Sequence, residues 1–406
     1  MKGLHVLKKR WLLCSLVAGY PLLGSEPILS NLKEEQFGLD YRKASLQSDM
    51  LRDSWLQPIM LRYSYTKSDQ YDGDGTTENG TVSIDQPIFR SGGIYYGIKF
   101  AEASRRYSNL SIDAARQKLI KEAVSLLMQI RQSDLRLAKQ ELLIANSGLN
   151  LELKTESYLH GELDSGFLDN AIIEKNLLTQ GLYDMQTLKE RLISAYESIS
   201  DAPYATTTIP KLSLIEVERF ESEAIDLALA QSDIEKNRWN ANMMRAKYLP
   251  QISLNGAYNW NKIENPAFAG SIMPINAQSR YTTYGVSASM PLDFNEFRDM
   301  EISRIDVLKS GVMMADKKRE LRSLYQQVRH NLTNSDKKIA LARENQKLYE
   351  KLLDDTRQLF RAGYKTEYDV NMLSNSAKIQ EIETQIIDVD RQLELLNLYE
   401  KVNSAI

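Results

Sequence analysis

The chain has 406 residues, a formal net charge of −3, one cysteine and 10 prolines. That charge balance disfavours a nucleic-acid partner, and a single cysteine excludes a disulfide framework or a cysteine-ligated metal centre. No proline falls in 88–202 or in 292–406, and because proline costs about 3 kcal/mol inside a helix, both stretches are free to be helical almost throughout.

In chain order, residues 1–25 read as a signal peptide, with Lys2, Lys8, Lys9 and Arg10 ahead of the apolar run WLLCSLVAGYPLLGS. Cys14 invites a lipid anchor, but Leu13 stands where a small residue is needed. Beyond this leader the 47 basic and 54 acidic residues give −7, and no cysteine is left. No later apolar run approaches the ~20 residues of a membrane helix, so an exported chain of this kind is soluble or a β-barrel.

Residues 26–203 and 204–406 read as two copies of one unit. Each begins with a helix (SNLKEEQFGLDYRKASLQSDMLRD; VERFESEAIDLALAQSDIEKNRWNANMMRAKY). Two proline-marked strands follow, near 58–67 and 80–90 and again near 250–261 and 280–292. Each unit then ends in a long helical hairpin, with tips at 158–168 and 360–368. The segment SDQYDGDGTTENG (68–80) reads as a surface loop. Asp72 and Asp74 have the first spacing of a calcium loop, but its glycine and terminal glutamate are missing.

The strands alternate. Ile252, Leu254, Gly256, Tyr258 and Trp260 share one face, as do Thr282, Tyr284, Val286, Ala288 and Met290. About ten residues with aromatic ends suits a tilted transmembrane strand. Four strands cannot bury their own edges in lipid, so a membrane barrel must be shared between chains.

The helical runs carry heptads. Leu321, Tyr325, Val328 and Leu332 lead one series; Ile379, Ile386 and Leu396 belong to another. Polar and small residues interrupt the seams, which suits helices packed side by side in a wall. Within LFRAGYKTEYDVNML (359–373), Phe360 closes a heptad and Gly363 fits the left-handed position after a helix end. Thr366 caps the next helix, with Asp369 as a short capping-box partner. In YLHGELDSGFLDN, Gly161 stops the helix and Asp164 or Ser165 caps the next. His160 and His330 have no metal-spaced partner. No catalytic motif or cofactor fingerprint is present, so the chain is read as a non-enzyme with no cofactor and no metal.

The paired strands with their proline marks, the duplication and the FRAGYKTEYDV tip resemble the outer membrane efflux protein family, the TolC-like outer membrane factors. The resemblance implies a homotrimer in a Gram-negative outer membrane. Each chain would give four strands to a twelve-stranded β-barrel that continues into a long periplasmic α-helical barrel. A periplasmic adaptor protein and an inner-membrane pump would dock below, making the chain an exit duct for heavy-metal cations or drugs, with outer-membrane lipid around it. The 25 residues at 200–224 would form a reduced collar. In the family the tips close the tunnel. Asp369, six residues after Gly363, stands at the first ring position, Met372 at the second, and Phe167 with Asp169 at the matching place in the first tip. Phe360, Gly363, Lys365, Thr366 and Gly161 would serve tip closure and adaptor contact.

Three Asp369 carboxylates around one axis would raise one another's pKa and favour cations. The competing reading is an acid placed in a first helical turn by the helix dipole, worth about 0.3–1 kcal/mol. The rival for the whole chain is a secreted coiled-coil interaction protein with a small soluble sheet.

Overall fold

The structure, a computed structural model, describes residues 28–69, 74–265 and 275–402. The expected signal peptide and part of the 68–80 segment lie outside the described residues. The elements are α1 (Asn31–Arg52), β1 (Met60–Ser68), β2 (Gly75–Phe89), α2 (Gly93–Leu159), α3 (Ser165–Glu197), α4 (Val217–Ser222), α5 (Ile225–Lys247), β3 (Gln251–Asn265), β4 (Ile275–Ser289), α6 (Glu296–Arg361) and α7 (Glu367–Tyr399). Helices α2 and α6 run unbroken for 67 and 66 residues, about 100 Å each at 1.5 Å per residue. The absence of proline permits this length, and packing on both sides sustains it.

The strands form one antiparallel sheet in the order β1-β2-β3-β4. Its central pairing joins β2 to β3 across the two halves of the sequence. The pairing rows sort the side chains cleanly. One face carries the rows Leu61–Val82–Tyr258–Thr282, Tyr63–Gly80–Trp260–Arg280 and Ile84–Gly256–Tyr284, with Leu254 opposite Val286. The other face carries Ser83–Ala257–Thr283, Thr81–Asn259–Tyr281 and Asn79–Asn261–Ser279. Gly80 has a specific role here: a Cβ at that position would lie 3.4 Å from Cε3 of Trp260, so the indole lies over bare backbone.

Three strands are longer than the alternation suggested. β2 starts at Gly75 rather than near 80, β3 runs on to Asn265, and β4 starts at Ile275 and ends at Ser289, which leaves Met290 outside it. Half of the expected 68–80 loop is therefore strand. Thr76, Thr77, Glu78 and Asn79 pair with Glu264, Ile263, Lys262 and Asn261, because ladder hydrogen bonds between polar residues continue past the point where apolar alternation stops.

Below the sheet the helices lie side by side. The first part of α2 packs between α1 and α5, with Tyr41 bonded to Asp113 and Arg116 to Glu34 on one side and Arg106 to Glu235 on the other. Its second part packs between α3 and α7, through Lys189–Asp134 at 2.8 Å and Lys139–Glu383 at 2.6 Å. Helix α6 flanks α5 above and α7 below. The wall thus has two unbroken rods and two made of helices stacked end on end.

The stacks are sealed by backbone bonds. Ser30 N donates to Ile199 O at 2.9 Å where α3 meets α1, and Ile225 N donates to Lys401 O at 2.9 Å where α7 meets α5. Each satisfies an amide that a helix start leaves without an internal partner.

The core gathers at this middle level, with Val124, Tyr196, Phe220, Val328, Leu395 and Leu398 among its buried side chains. The heptad positions Leu321, Tyr325, Val328 and Leu332 are all buried, whereas Phe360 at the far end of the same helix is exposed. Residues 198–216 cross this level as an irregular strap that leads into the single turn-and-a-half of α4. The Phe220 and Tyr325 rings stand 5.5 Å apart, and Tyr325 donates to Ile215 O at 2.9 Å.

Buried Gln392 holds the strap by both of its amide groups. Leu212 N donates to Oε1 at 2.7 Å, and Nε2 donates to Leu212 O at 3.3 Å. Gln392→Leu keeps the volume but strands two buried backbone groups, at a cost of about 1–3 kcal/mol. Limited proteolysis should then cut the 203–212 segment faster than in the unsubstituted protein.

Candidate functional site

Two places concentrate groups that the core does not use: the helical tips and the two-faced sheet. At both tips a glycine ends the rod. Gly161 and Gly363 have φ of 74° and 79°. At the first, Glu162 N donates to Ser157 O and Gly161 N to Tyr158 O; at the second, Tyr364 N donates to Leu359 O and Gly363 N to Phe360 O. This pair of bonds closes a helix with a left-handed residue, which is why glycine occupies both positions.

The restarts differ. Of the two cap candidates at the first tip it is Asp164 that caps α3, accepting from Gly166 N at 3.1 Å. This bond holds its carboxyl below the usual range. At the second tip Thr366 caps α7. Its Oγ1 accepts from Asp369 N at 3.2 Å, and Asp369 Oδ2 accepts from Thr366 N at 3.0 Å, completing a capping box. Lys365 Nζ stands 3.5 Å from Asp369 Oδ1.

The Thr366 amide and hydroxyl, with Lys365 behind them, hold the Asp369 carboxyl below its ordinary pKa against a smaller opposing effect of burial. Within one chain this is opposite in sign to the mutual repulsion expected of a ring. Asp is short for the third position of such a box, yet here it reaches.

Sequence reasoning missed a bond between the tips. Tyr368 donates to Glu156 Oε1 at 3.0 Å, tying the start of α7 to the end of α2, and the bond pushes the phenol pKa up. Three turns further from the tip, Asn146 Nδ2 donates to Met372 O and accepts at Oδ1 from Asn375 at 2.9 Å. Met372 therefore enters the contact through its backbone. A signal was available: Glu156 lies five residues before Gly161 and Tyr368 five after Gly363, which puts them level when the glycines align.

The sequence-derived constriction residues are split. Asp369 and half-buried Met372 are on α7; exposed Phe167 and Asp169 are on α3, with α2 between the two helices. One chain does not bring the four together. Phe360 and Lys365 are exposed near Gly363. Among the described residues no group of three His, Cys, Asp or Glu side chains is placed to hold a metal ion, and no helix is long and apolar enough to cross a membrane.

The sheet presents an apolar face with Leu61, Tyr63, Tyr284 and Val286 exposed, Tyr284 at 90 %. Among the described residues both edge strands, β1 and β4, have one side without a partner strand. Apolar side chains also continue down the wall's open flanks, at Leu39, Leu46 and Met50 on α1, and at Ile305, Leu308 and Val312 on α6.

Residues 217–399, from α4 through α7, match the outer membrane efflux protein family. No curated protein matches the sequence. The fold is similar to that of the Campylobacter jejuni CmeC outer membrane channel, with a TM-score of 0.69 at 11% identity, covering 93% of this chain and 85% of that one. It is similar also to the outer membrane protein VceC from Vibrio cholerae (TM-score 0.67, 14% identity, 91% and 93% covered). The open state of the Neisseria gonorrhoeae MtrE outer membrane channel gives 0.63 at 13% identity, with 90% and 85% covered. The 217–399 stretch is thus an outer membrane efflux protein domain, and the mainly helical fold with its small antiparallel sheet is that of these channels. The family matched by 217–399 is one of outer membrane efflux proteins, and the structures of similar fold are outer membrane channels.

Thr366→Ala should fray the first turn of α7 by about 1 kcal/mol, seen as roughly fivefold faster amide exchange at 367–370. Because the Asp369 pKa is depressed in the folded chain, its share of the cap is present above the ordinary carboxylate value of ~4 and is lost as pH falls through the lowered one. Protection of that turn should be level from neutral pH down to ~4 and decline only below it.

Proposed function

We propose that the protein is the exit duct of a tripartite efflux assembly. It would be a homotrimer whose three sheets close one twelve-stranded barrel in the outer membrane and whose helical walls close one periplasmic tunnel. A periplasmic adaptor and an inner-membrane pump would dock at the tips. The observation that carries this reading is the sheet: apolar and aromatic on one face, polar on the other, and open at both edges.

In lipid an open strand edge leaves every second backbone amide and carbonyl unsatisfied, which a bilayer does not tolerate. Pairing β4 of one copy with β1 of the next removes all edges when the ring closes, and closure by identical copies is the ordinary route to symmetric oligomers. The same association covers the apolar flanks of α1 and α6. The two halves of the sequence, 26–203 and 204–406, would be the duplicated units that supply two strands and one hairpin each. The CusC structure, similar in fold at 13% identity, is described in terms of folding and transmembrane channel formation, which agrees with this assembly.

At the tips, three copies would bring Asp369, Met372, Phe167 and Asp169 around one axis. The capping box favours the charged form of Asp369 and so offsets part of the repulsion between the three carboxylates. Phe360, Gly363, Lys365, Thr366 and Gly161 would shape the surface that closes and meets the adaptor, while the bond from Tyr368 to Glu156 holds neighbouring hairpins together. Cargo, whether heavy-metal cations or drugs, would be chosen by the pump.

Oligomer mass in detergent, followed by planar-bilayer recording, tests the assembly. A trimer with small, cation-preferring, mostly closed conductances is expected, and a soluble monomer without conductance would sink it in favour of a helical interaction protein. Asp369→Asn should weaken the cation preference, and Tyr368→Phe should raise the open time. An unchanged selectivity in Asp369→Asn would remove the ring from the account.

A further inference from the structure

The polar face of the sheet is nearly free of charge. On β3 it carries Gln251, Ser253, Asn255, Ala257, Asn259, Asn261 and then Ile263, and on β4 Ala277, Ser279, Tyr281, Thr283, Gly285, Ser287 and Ser289. Hydroxyls and amides on this face bond one another, as Ser287 does to Asn255 at 2.9 Å and Thr81 to Asn259 at 3.1 Å. Among the described residues of the four strands, the only charged side chains on this face are Arg62 and Asp85.

Both are exposed, and among the described residues neither has a salt-bridge partner. On the opposite face Lys67, Glu78, Lys262 and Glu264 gather at the outer end and pair there, as in Lys262 with Glu264 at 2.6 Å and Lys67 with Asp74 at 2.6 Å, while Arg280 has no salt-bridge partner among the described residues.

The two charges stand at different heights. Arg62 pairs with Thr81, while Asp85 sits four residues further along β2, towards the helices. Four residues of strand separate them by about 13 Å. That exceeds the Debye length of about 10 Å at 0.1 M salt, so each acts on a passing ion largely alone.

We propose that Arg62 and Asp85 are the charge-selecting residues of the barrel: Arg62 an outer ring that attracts anions, and Asp85 an inner ring that attracts cations. The inference rests on the channel reading, in which this face lines the lumen and each residue occurs three times. The otherwise uncharged polar face around the Arg62 guanidinium offers no counter-charge to mask it. A permeant molecule with carboxylate or phosphate groups is held at Arg62 after it has passed Asp85, and a polycation is held in the reverse order.

The test is the reversal potential of the full mature protein in planar bilayers under a potassium chloride gradient. It is made in a Tyr368→Phe background so that the tips limit current less. Each variant is checked first for the oligomer mass of its parent, and the contribution of the tips is common to all variants. Arg62→Gln should raise the potassium-to-chloride permeability ratio about twofold at 0.1 M salt, and Asp85→Asn should lower it by a similar factor. Both shifts should collapse at 1 M, where the Debye length is about 3 Å, and Arg62→Lys should leave the ratio unchanged. Conductance with ratios unmoved by both neutralisations overturns the proposal and leaves the channel intact. Loss of conductance in the parent as well as the variants overturns the channel reading and this inference with it.

Discussion

A β-strand edge exposes backbone groups that must find partners, and in this molecule that requirement reaches every level. Two strands from each half of the sequence meet at the β2–β3 pairing, which leaves β1 and β4 as edges of a single sheet. In the proposed membrane barrel the sheet's apolar face would turn the requirement from a preference into a necessity, since no water replaces the missing partners in lipid. In that proposal the strand count, the number of copies and the covering of the wall's apolar flanks follow from one another.

The helical wall answers the same demand differently. Helices satisfy their own backbone except at their ends, so a wall a hundred ångströms tall raises the question only where a rod begins or stops. Besides the level where the rods meet the sheet there are two such levels. At mid-height the stacked helices hand amides to one another and Gln392 completes the strap. At the tips, left-handed glycines and the caps Asp164 and Thr366 close the remaining groups locally. Those residues are thus bound to structural tasks before any gate is considered.

Much of this was legible in the sequence. The 115-residue gaps between prolines located α2, α3, α6 and α7, and period-two alternation assigned the strand faces on which Leu254 meets Val286. Gly161 and Gly363 marked both tips. Less legible was whatever rests on polar pairing: the outer ends of β2, β3 and β4 carry no alternation of apolar residues, so ladder bonds that form there leave no compositional trace. The same holds for Tyr368 and Glu156, which are unremarkable on their own helices and gain meaning only when two hairpins are set level. Gln392 sits in a heptad run and looks like one more polar interruption until the strap passes over it.

The contrast between unbroken and stacked rods has a mechanical consequence. Bending a continuous helix strains every turn of its hydrogen-bond ladder, so α2 and α6 behave as stiff beams from sheet to tip. At the α7–α5 junction the backbone is joined by little more than the bonds flanking Ala224 and Val402, which gives that joint far less bending stiffness than a helix of equal length. The stacked rods are therefore more compliant at this height than the continuous ones, and α7, whose upper end lies at the junction, has a point about which it can turn against α5 while α2 and α6 stay straight.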